Sequence, residues 1–454
     1  MFIVGCRTGA SQLPANRLRN REGCRMRRSM NRRGFMGIAA GLAGPALWGS
    51  ARCSAPGDHP TVLKMIATDF SDLEGNNPTQ VYWDALIQKF EREHPGITVD
   101  VEVHSRGSAE EAVAELIRQG ETPDIAQIGS FAQYAAAGQL YTADRVLSVP
   151  TEADFISPLA KAGTVRHVQY GMPFVAGIQM LFYNKRLFAK AGLDPDSPPS
   201  TWRELRQAAD ALAAAGITIP FGLPLGEEDA HVEAMTWMLN NGGGIAEYDD
   251  YAIDAPANVQ ALNWLRVNLV GAGLTTANPA IADRQQLFDL FTRGEVGMVN
   301  GSSTLMGQAD RRKFDYGVAP TPSNGRRVHR SMSDAQWIMA FKANGNREEI
   351  RAFLGYVYQA ENHDRFVDRY GLLPVTTSAT QRILAHGKDK RIRPLLRELE
   401  TAELFPVGKP SWGLVSRDIR RSVGGSMMAD TSPSSVLRRL QYEAVQASLQ
   451  DTQN

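Results

Sequence analysis

Acid–base chemistry on a glycosidic bond needs two carboxyl groups about 5 to 10 Å apart, and Asp69 with Glu228 is the pair this chain could bring to a cleft. Asp69 closes an apolar, β-rich run, and Glu228 lies in the acidic turn Glu227-Glu228-Asp229 after Phe221-Gly222-Leu223-Pro224. Other reaction classes lack their residues. There is no Gly-x-Ser-x-Gly, no serine triad order, no phosphate-binding loop ending in Gly-Lys-Ser/Thr and no dinucleotide fingerprint. Gly242-Gly243-Gly244 follows a helical stretch and lacks the preceding strand that a phosphate cradle requires. The 8 histidines show no HExxH or His-x-His spacing, so no metal site is expected. Among the rings, Trp337 follows the small, polar run Ser331 to Gln336, and Trp412 follows Gly408-Lys409-Pro410-Ser411. A ring in a polar loop can cover the C–H face of a ligand. For Trp337 a place in the core on a strand is the alternative. Trp83, Trp202, Trp237 and Trp264 lie on helices at core spacing and are expected to pack.

The elements that must position these groups alternate. Thr61 to Thr68 reads as a strand, Val81 to Glu93 as a helix, and Ile97 to Val103 as a strand with period-2 alternation. Glu110 to Gln119, Ile125 to Gly129 and Phe131 to Ala137 continue the pattern. It argues an α/β fold with an open, mostly parallel sheet and ligand contacts on the loops at strand ends. The run from Gly171 to Leu205 reads as strand, helix, loop and helix. Asn184 provides cap chemistry for Lys185 to Ala191, Gly192 stops that helix, and Thr201 caps the helix that starts at Trp202. Helical spacing recurs in Leu205 to Ala215, Glu233 to Leu239, Val259 to Val270, Arg284 to Phe291, Arg347 to Gln359 and Ser435 to Leu449. With 454 residues and 43% hydrophobic composition, the chain is long enough for two or three domains of about 150 residues.

The first 53 residues hold 10 Arg and 1 Glu, which leaves 39 basic against 48 acidic groups in the remainder. A processed chain of that balance has no electrostatic case for nucleic acid. Cys6, Cys24 and Cys53 all fall in the same leader, so disulfide frameworks and cysteine nucleophiles are not expected beyond it. Asn31-Arg32-Arg33-Gly34-Phe35-Met36 precedes a weakly apolar Gly/Ala stretch, Ile38 to Trp48, too short to span a bilayer. Residues 1–55 therefore read as an export signal and leader, cleaved near Ala51 or Ala55, with Met26 or Met30 as alternative starts. The paired arginines resemble the twin-arginine signal, although Asn31 and Met36 depart from its preferred Ser/Thr and Leu, and the general secretory route is the alternative. Cys53 is a candidate lipid anchor, with Arg52 where that motif wants Gly or Ala. The expected location is the periplasm or the extracytoplasmic face.

Five stretches, in order, resemble the type 1 extracellular solute-binding proteins, the carbohydrate receptors of ABC importers. They are Phe90-Glu91-Arg92-Glu93-His94-Pro95-Gly96-Ile97-Thr98-Val99; Pro123-Asp124-Ile125 with Gly138-Gln139-Leu140; and Tyr170-Gly171-Met172-Pro173 running through Tyr183-Asn184 and Ala191-Gly192-Leu193 to Thr201-Trp202. The last two are Phe291, Gly294, Met298 and Gly301, and then Ala352-Phe353-Leu354 with Tyr370-Gly371-Leu372-Leu373-Pro374. Together they cover roughly residues 61 to 445.

The resemblance implies a periplasmic-binding-protein-like two-lobed fold (type II), each lobe an open α/β sheet, joined by crossover strands. It places crossovers near Gly171 to Phe174, Asn300 to Ser303 and Arg326 to Arg330, with an N-lobe of 60–172 plus 303–328 and a C-lobe of 173–302 plus 329–454. It implies a monomeric receptor without cofactor or catalytic residues, holding a small-molecule sugar and docking on the transmembrane subunits of an ABC permease. By that likeness the ligand-binding candidates are Asp69, Ser130, Glu228, His231, Ser302, Ser303, Asp334, Trp337 and Trp412. Asp69 has a turn or cap role as its alternative, and the serines would leave room for a larger ligand or for water. None of these positions is Arg or Lys, which favours a neutral ligand. A polyol or glycerol-phosphodiester receptor and an exported carbohydrate-active hydrolase are the alternative readings.

Overall fold

The computed structural model describes residues 60–71, 78–247, 250–325, 330–387 and 389–451. The expected leader, with its arginine pair and Cys53, lies outside the described residues. Ten strands build two sheets. Thr61–Thr68 (β1), Ile97–His104 (β2), Ile125–Ile128 (β3), Met172–Ile178 (β4), Met332–Ala340 (β9) and Glu403–Leu404 (β10) form a six-stranded sheet. Met180–Asn184 (β5), Ile219–Gly222 (β6), Val296–Gly301 (β7) and Tyr316–Pro320 (β8) form a four-stranded sheet.

The first sheet grows from β1, which pairs in parallel with β2 on one side and β3 on the other because each connection is a helix that returns the chain to the same end of the sheet. β9 runs antiparallel to both β3 and β4, with a register shift between Gln336 and Trp337. In the second sheet β7 lies parallel to β6 and antiparallel to β5, and β8 pairs antiparallel with β5. Helices cover both sheets. The Thr79–Glu93 helix packs on β2 and the Trp202–Ala214 helix on β6. Its start is a capping box: the Thr201 hydroxyl accepts from the Glu204 N–H while the Glu204 carboxylate accepts from the Thr201 N–H. Asn184 accepts from the N–H groups of Arg186 and Leu187, and Gly192 takes φ +72°, as the sequence predicts.

The core tryptophans are where their spacing puts them. Trp83 stacks on Phe174, and Trp202, Trp237 and Trp264 form one ring cluster with centroids 4.9 to 5.8 Å apart.

The chain passes between the sheets at three places. Only Gln179 separates β4 from β5, residues 321–331 separate β8 from β9, and residues 405–411 lead from β10 to the Trp412–Ser422 helix, which packs on the helices of the four-stranded body. Two of the three expected crossovers need correction. Gly171 to Phe174 enters β4 of the six-stranded sheet, and the change of sheet comes later, at Gln179. Asn300 to Ser303 makes no crossing, because both β7 and β8 hydrogen-bond to β5. The expected ranges are corrected with them. Tyr316–Pro320, expected in the N-lobe, belongs to the four-stranded sheet, while Met332–Ala340 and Glu403–Leu404, expected in the C-lobe, belong to the six-stranded one. The third expected crossing overlaps the 321–331 link, of which residues 326–329 lie outside the described residues.

Candidate ligand site

The strand ends of the six-stranded sheet carry a polar ledge. At the end of β1 the Thr68 N–H donates to Gln127 Oε1 at 3.0 Å and its hydroxyl to the Gln127 carbonyl at 2.9 Å. Gln127 Nε2 in turn donates to Gln336 Oε1 on β9 at 3.4 Å. Ser130, just past β3, donates to Glu110 Oε1 at 2.9 Å. Gly129 permits this approach, since a Cβ there would stand 2.9 Å from Glu110 Oε1. Asp334 lies opposite Gly177 in the β9–β4 pairing, and a Cβ on Gly177 would come within 2.5 Å of its Oδ1.

Three rings form the other element of the site. His231, at the start of the Ala230–Leu239 helix, stacks on Phe405 with centroids 4.9 Å apart and planes 16° apart. Phe405 stacks in the same way on Trp412, at 4.9 Å and 26°. Trp412 and Phe405 are only 5% and 7% exposed, so the stack is nearly closed to solvent. The residue after Trp412 lies beside the ledge: a Cβ on Gly413 would stand 3.8 Å from Ser130 Oγ. Ser411 anchors the turn by donating to Asp451 Oδ2 at 2.6 Å.

The structure thus brings His231, Trp412 and Ser130 into one neighbourhood, joined by Phe405, Glu110, Gln127 and Gln336, which sequence reading missed. Phe405 had a signal. It precedes Pro406 in a Pro/Gly-rich link of the kind that made Trp412 stand out, whereas the amides and Glu110 sit inside regular elements and gave none.

The remaining candidates lie outside this neighbourhood. Asp69 makes an Asx turn, accepting from the Ser71 N–H at 2.9 Å and from the Ser71 hydroxyl. Burial pushes its carboxyl upward, but hydrogen bonds from Ser71 and Thr79 prevail and hold it below the ordinary aspartate value. Glu228 shares a carboxyl–carboxyl hydrogen bond with Asp283, the largest of the effects that hold the Asp283 carboxyl below the ordinary aspartate value. Ser302 shares a 2.9 Å hydroxyl contact with Thr304, and Ser303 opens the Ser303–Arg311 helix, with its Oγ buried and without a hydrogen-bond partner among the described residues. Trp337 fits its core alternative: it is 0% exposed, and its ring lies 5.5 Å from that of Phe131.

The helix that carries His231 also holds a buried ion pair. Arg284 Nη2 donates to Glu233 Oε2 at 3.2 Å, and its Nε lies 3.3 Å from Asp229 Oδ2. Glu233 also accepts from Trp237 Nε1 at 2.8 Å and from Asn300 Nδ2 at 2.9 Å. Burial raises the Glu233 carboxyl above the ordinary range, against the lowering effect of Arg284 and these donors.

Residues 76–364, well over half of the chain, match the family model described as bacterial extracellular solute-binding protein. The chain belongs to that family. Among its relatives, this binding protein is 27% identical over 348 residues to a protein of Brucella abortus (strain 2308) named as a binding protein, covering 75% of this chain and 80% of the other. It is also 27% identical over 335 residues to the sn-glycerol-3-phosphate-binding periplasmic protein UgpB of Salmonella typhimurium, covering 68% and 73%. Its fold is that of the GacH receptor of Streptomyces glaucescens, solved unliganded and with acarbose, with a TM-score of 0.72 and 20% identity over 86% of this chain and 99% of that one. The solute-binding protein therefore has the two-lobed, type II arrangement, each lobe built on one of the two sheets. No helix among its described residues is long and apolar enough to cross a membrane.

Proposed function

We propose that this solute-binding protein is the extracytoplasmic receptor of an ABC importer, exported by its arginine-bearing leader, and that it captures a neutral sugar between its two sheets and delivers it to a membrane permease. The observation that carries this reading is the His231–Phe405–Trp412 stack beside the Ser130, Gln127 and Gln336 ledge. Rings match the C–H faces of a sugar, and planar amides and hydroxyls match its edge. The acarbose complex of the GacH receptor supports the same class of ligand.

UgpB relatives make a glycerol phosphate the competing ligand. A phosphate wants a guanidinium free to pair with it. Arg284, a buried guanidinium, is already committed to Glu233 and Asp229, which favours a neutral ligand. The rings are nearly closed, so a ligand enters when the two bodies part, and it then stabilises closure by touching both. Chemistry on the ligand is not part of this role. The carboxylates that suggested it serve locally, Asp69 in its turn and Glu228 against Asp283.

The test is a thermal-shift screen of the protein against maltose, tagatose, polyols and sn-glycerol 3-phosphate, with product release followed in the same wells. A ligand at a hundred times its dissociation constant adds about 2.7 kcal/mol of stability. A shift with a neutral sugar and no product supports the receptor reading. A shift with sn-glycerol 3-phosphate alone, or turnover of a sugar, overturns it.

A further inference from the structure

The Ala230–Leu239 helix is connected to all three links between the sheets, to the first of them through Arg284. Every residue in it except His231 is buried, so it is a rigid rod packed on all sides. At its start, His231 lies on Phe405 of the third link. Two residues on, Glu233 holds Arg284, whose Nη1 donates to Gln179 Oε1 of the first link at 3.4 Å and to the Asn300 carbonyl at 3.1 Å. At its end, Asn240 grips the second link with its side chain and its backbone. Its Nδ2 donates to Thr321 Oγ1 at 2.9 Å and to the Arg330 carbonyl at 3.1 Å, while its carbonyl accepts from the Asn324 N–H at 2.8 Å.

We infer that this helix couples the three links, and that Asn240 and the Glu233–Arg284 pair are positioning residues that set the balance between open and closed forms without touching ligand. The inference rests on the two-lobed receptor reading above. Closure of such a fold is absorbed by backbone rotation in the linking segments. A residue that is fixed in one body and bonded to a linking segment biases that rotation, because its bonds are made in one arrangement and strained in the other. Polar groups that merely satisfy a core would not do this. Asn258 supplies the comparison: it is 0% exposed and its Nδ2 donates to the carbonyls of Gly244, Ala252 and Ile253 at 2.7, 2.9 and 3.1 Å, all remote in sequence from the three links.

The test needs no ligand. In the full chain with Cys6, Cys24 and Cys53 replaced by serine, spin labels go on Gln88→Cys and Gln207→Cys, exposed positions on helices packed against β2 and β6. Pulsed dipolar spectroscopy then gives the distance distribution between the bodies. Asn240→Ala and the charge-neutral double variant Glu233→Gln/Arg284→Met are each expected to shift or broaden it. Asn258→Ala, with a comparable loss in urea midpoint, is expected to leave it unchanged. If one coupling variant fails to fold, the other carries the test. Parent-like distributions in the folded coupling variants, or an equal shift in Asn258→Ala, overturn the inference. A chain that binds no sugar still gives this result, so the receptor reading and the coupling fail separately.

Discussion

Removing Arg284 alone should be far more damaging than removing its ion pair. In Arg284→Met the Glu233 carboxylate, 0% exposed, loses its cation and keeps only Trp237 and Asn300 as donors. An uncompensated buried charge costs about 3–5 kcal/mol, whereas replacing both partners by uncharged groups is often close to neutral. Urea unfolding should therefore place Glu233→Gln/Arg284→Met at least about 2 kcal/mol above Arg284→Met. The pH dependence has a definite sign. Burial raises Glu233 above the ordinary glutamate value, so between that value and its folded value the native state holds a proton that the unfolded state has released. Stability from this group is complete below the unfolded value and is lost as pH rises through the folded one. The deficit of Arg284→Met relative to the parent should therefore shrink in acid, where Glu233 is neutral in the variant, and the deficit of the double variant should show no such recovery from Glu233. A single variant as stable as the double one, or a deficit independent of pH, would mean that Arg284 does not compensate a buried Glu233 charge.

Other expectations follow from single contacts. Gly317 lies opposite Tyr183 in the β8–β5 pairing, and a Cβ there would fall 2.1 Å from the ring, so Gly317→Ala should cost about 1–3 kcal/mol in urea unfolding, typical of overpacking. Thr201→Ala removes the cap of the Trp202–Ala214 helix and should lower stability by about 1 kcal/mol, while Thr201→Ser should retain most of it. Phe405→Ala should weaken binding of whichever neutral sugar shifts the melting midpoint, because it separates His231 from Trp412. Calorimetry would measure the change, and an unaltered dissociation constant would remove Phe405 from the site.

What the sequence made legible has a physical pattern. Local chemistry was readable: the caps at Asn184 and Thr201, the left-handed Gly192 and the buried tryptophans each depend on neighbours within a few residues. The alternation of strands and helices gave the α/β class. Which sheet a strand joins was not readable, because pairing is non-local and both sheets bury the same apolar residue types. β4 and β5 read as one continuous run, since a single Gln179 marks the change of sheet. β10 has two residues, too few for any periodicity, and with it the third link and Phe405 went unseen. In the site, Trp412 and His231 were visible as a ring and an imidazole in polar loops. Glu110, Gln127 and Gln336 come together only through the parallel and antiparallel pairings of β1, β3 and β9.

Calorimetric titration of maltose, tagatose and sn-glycerol 3-phosphate into the parent protein and Trp412→Ala tests whether a neutral sugar is held at the ring stack. The expected result is saturable, product-free binding of a neutral sugar by the parent, weakened about tenfold or more in Trp412→Ala by loss of ring contact and its buried area. Binding of sn-glycerol 3-phosphate alone, or sugar affinity unchanged within about twofold in a folded Trp412→Ala, a difference of only about 0.4 kcal/mol, would contradict it.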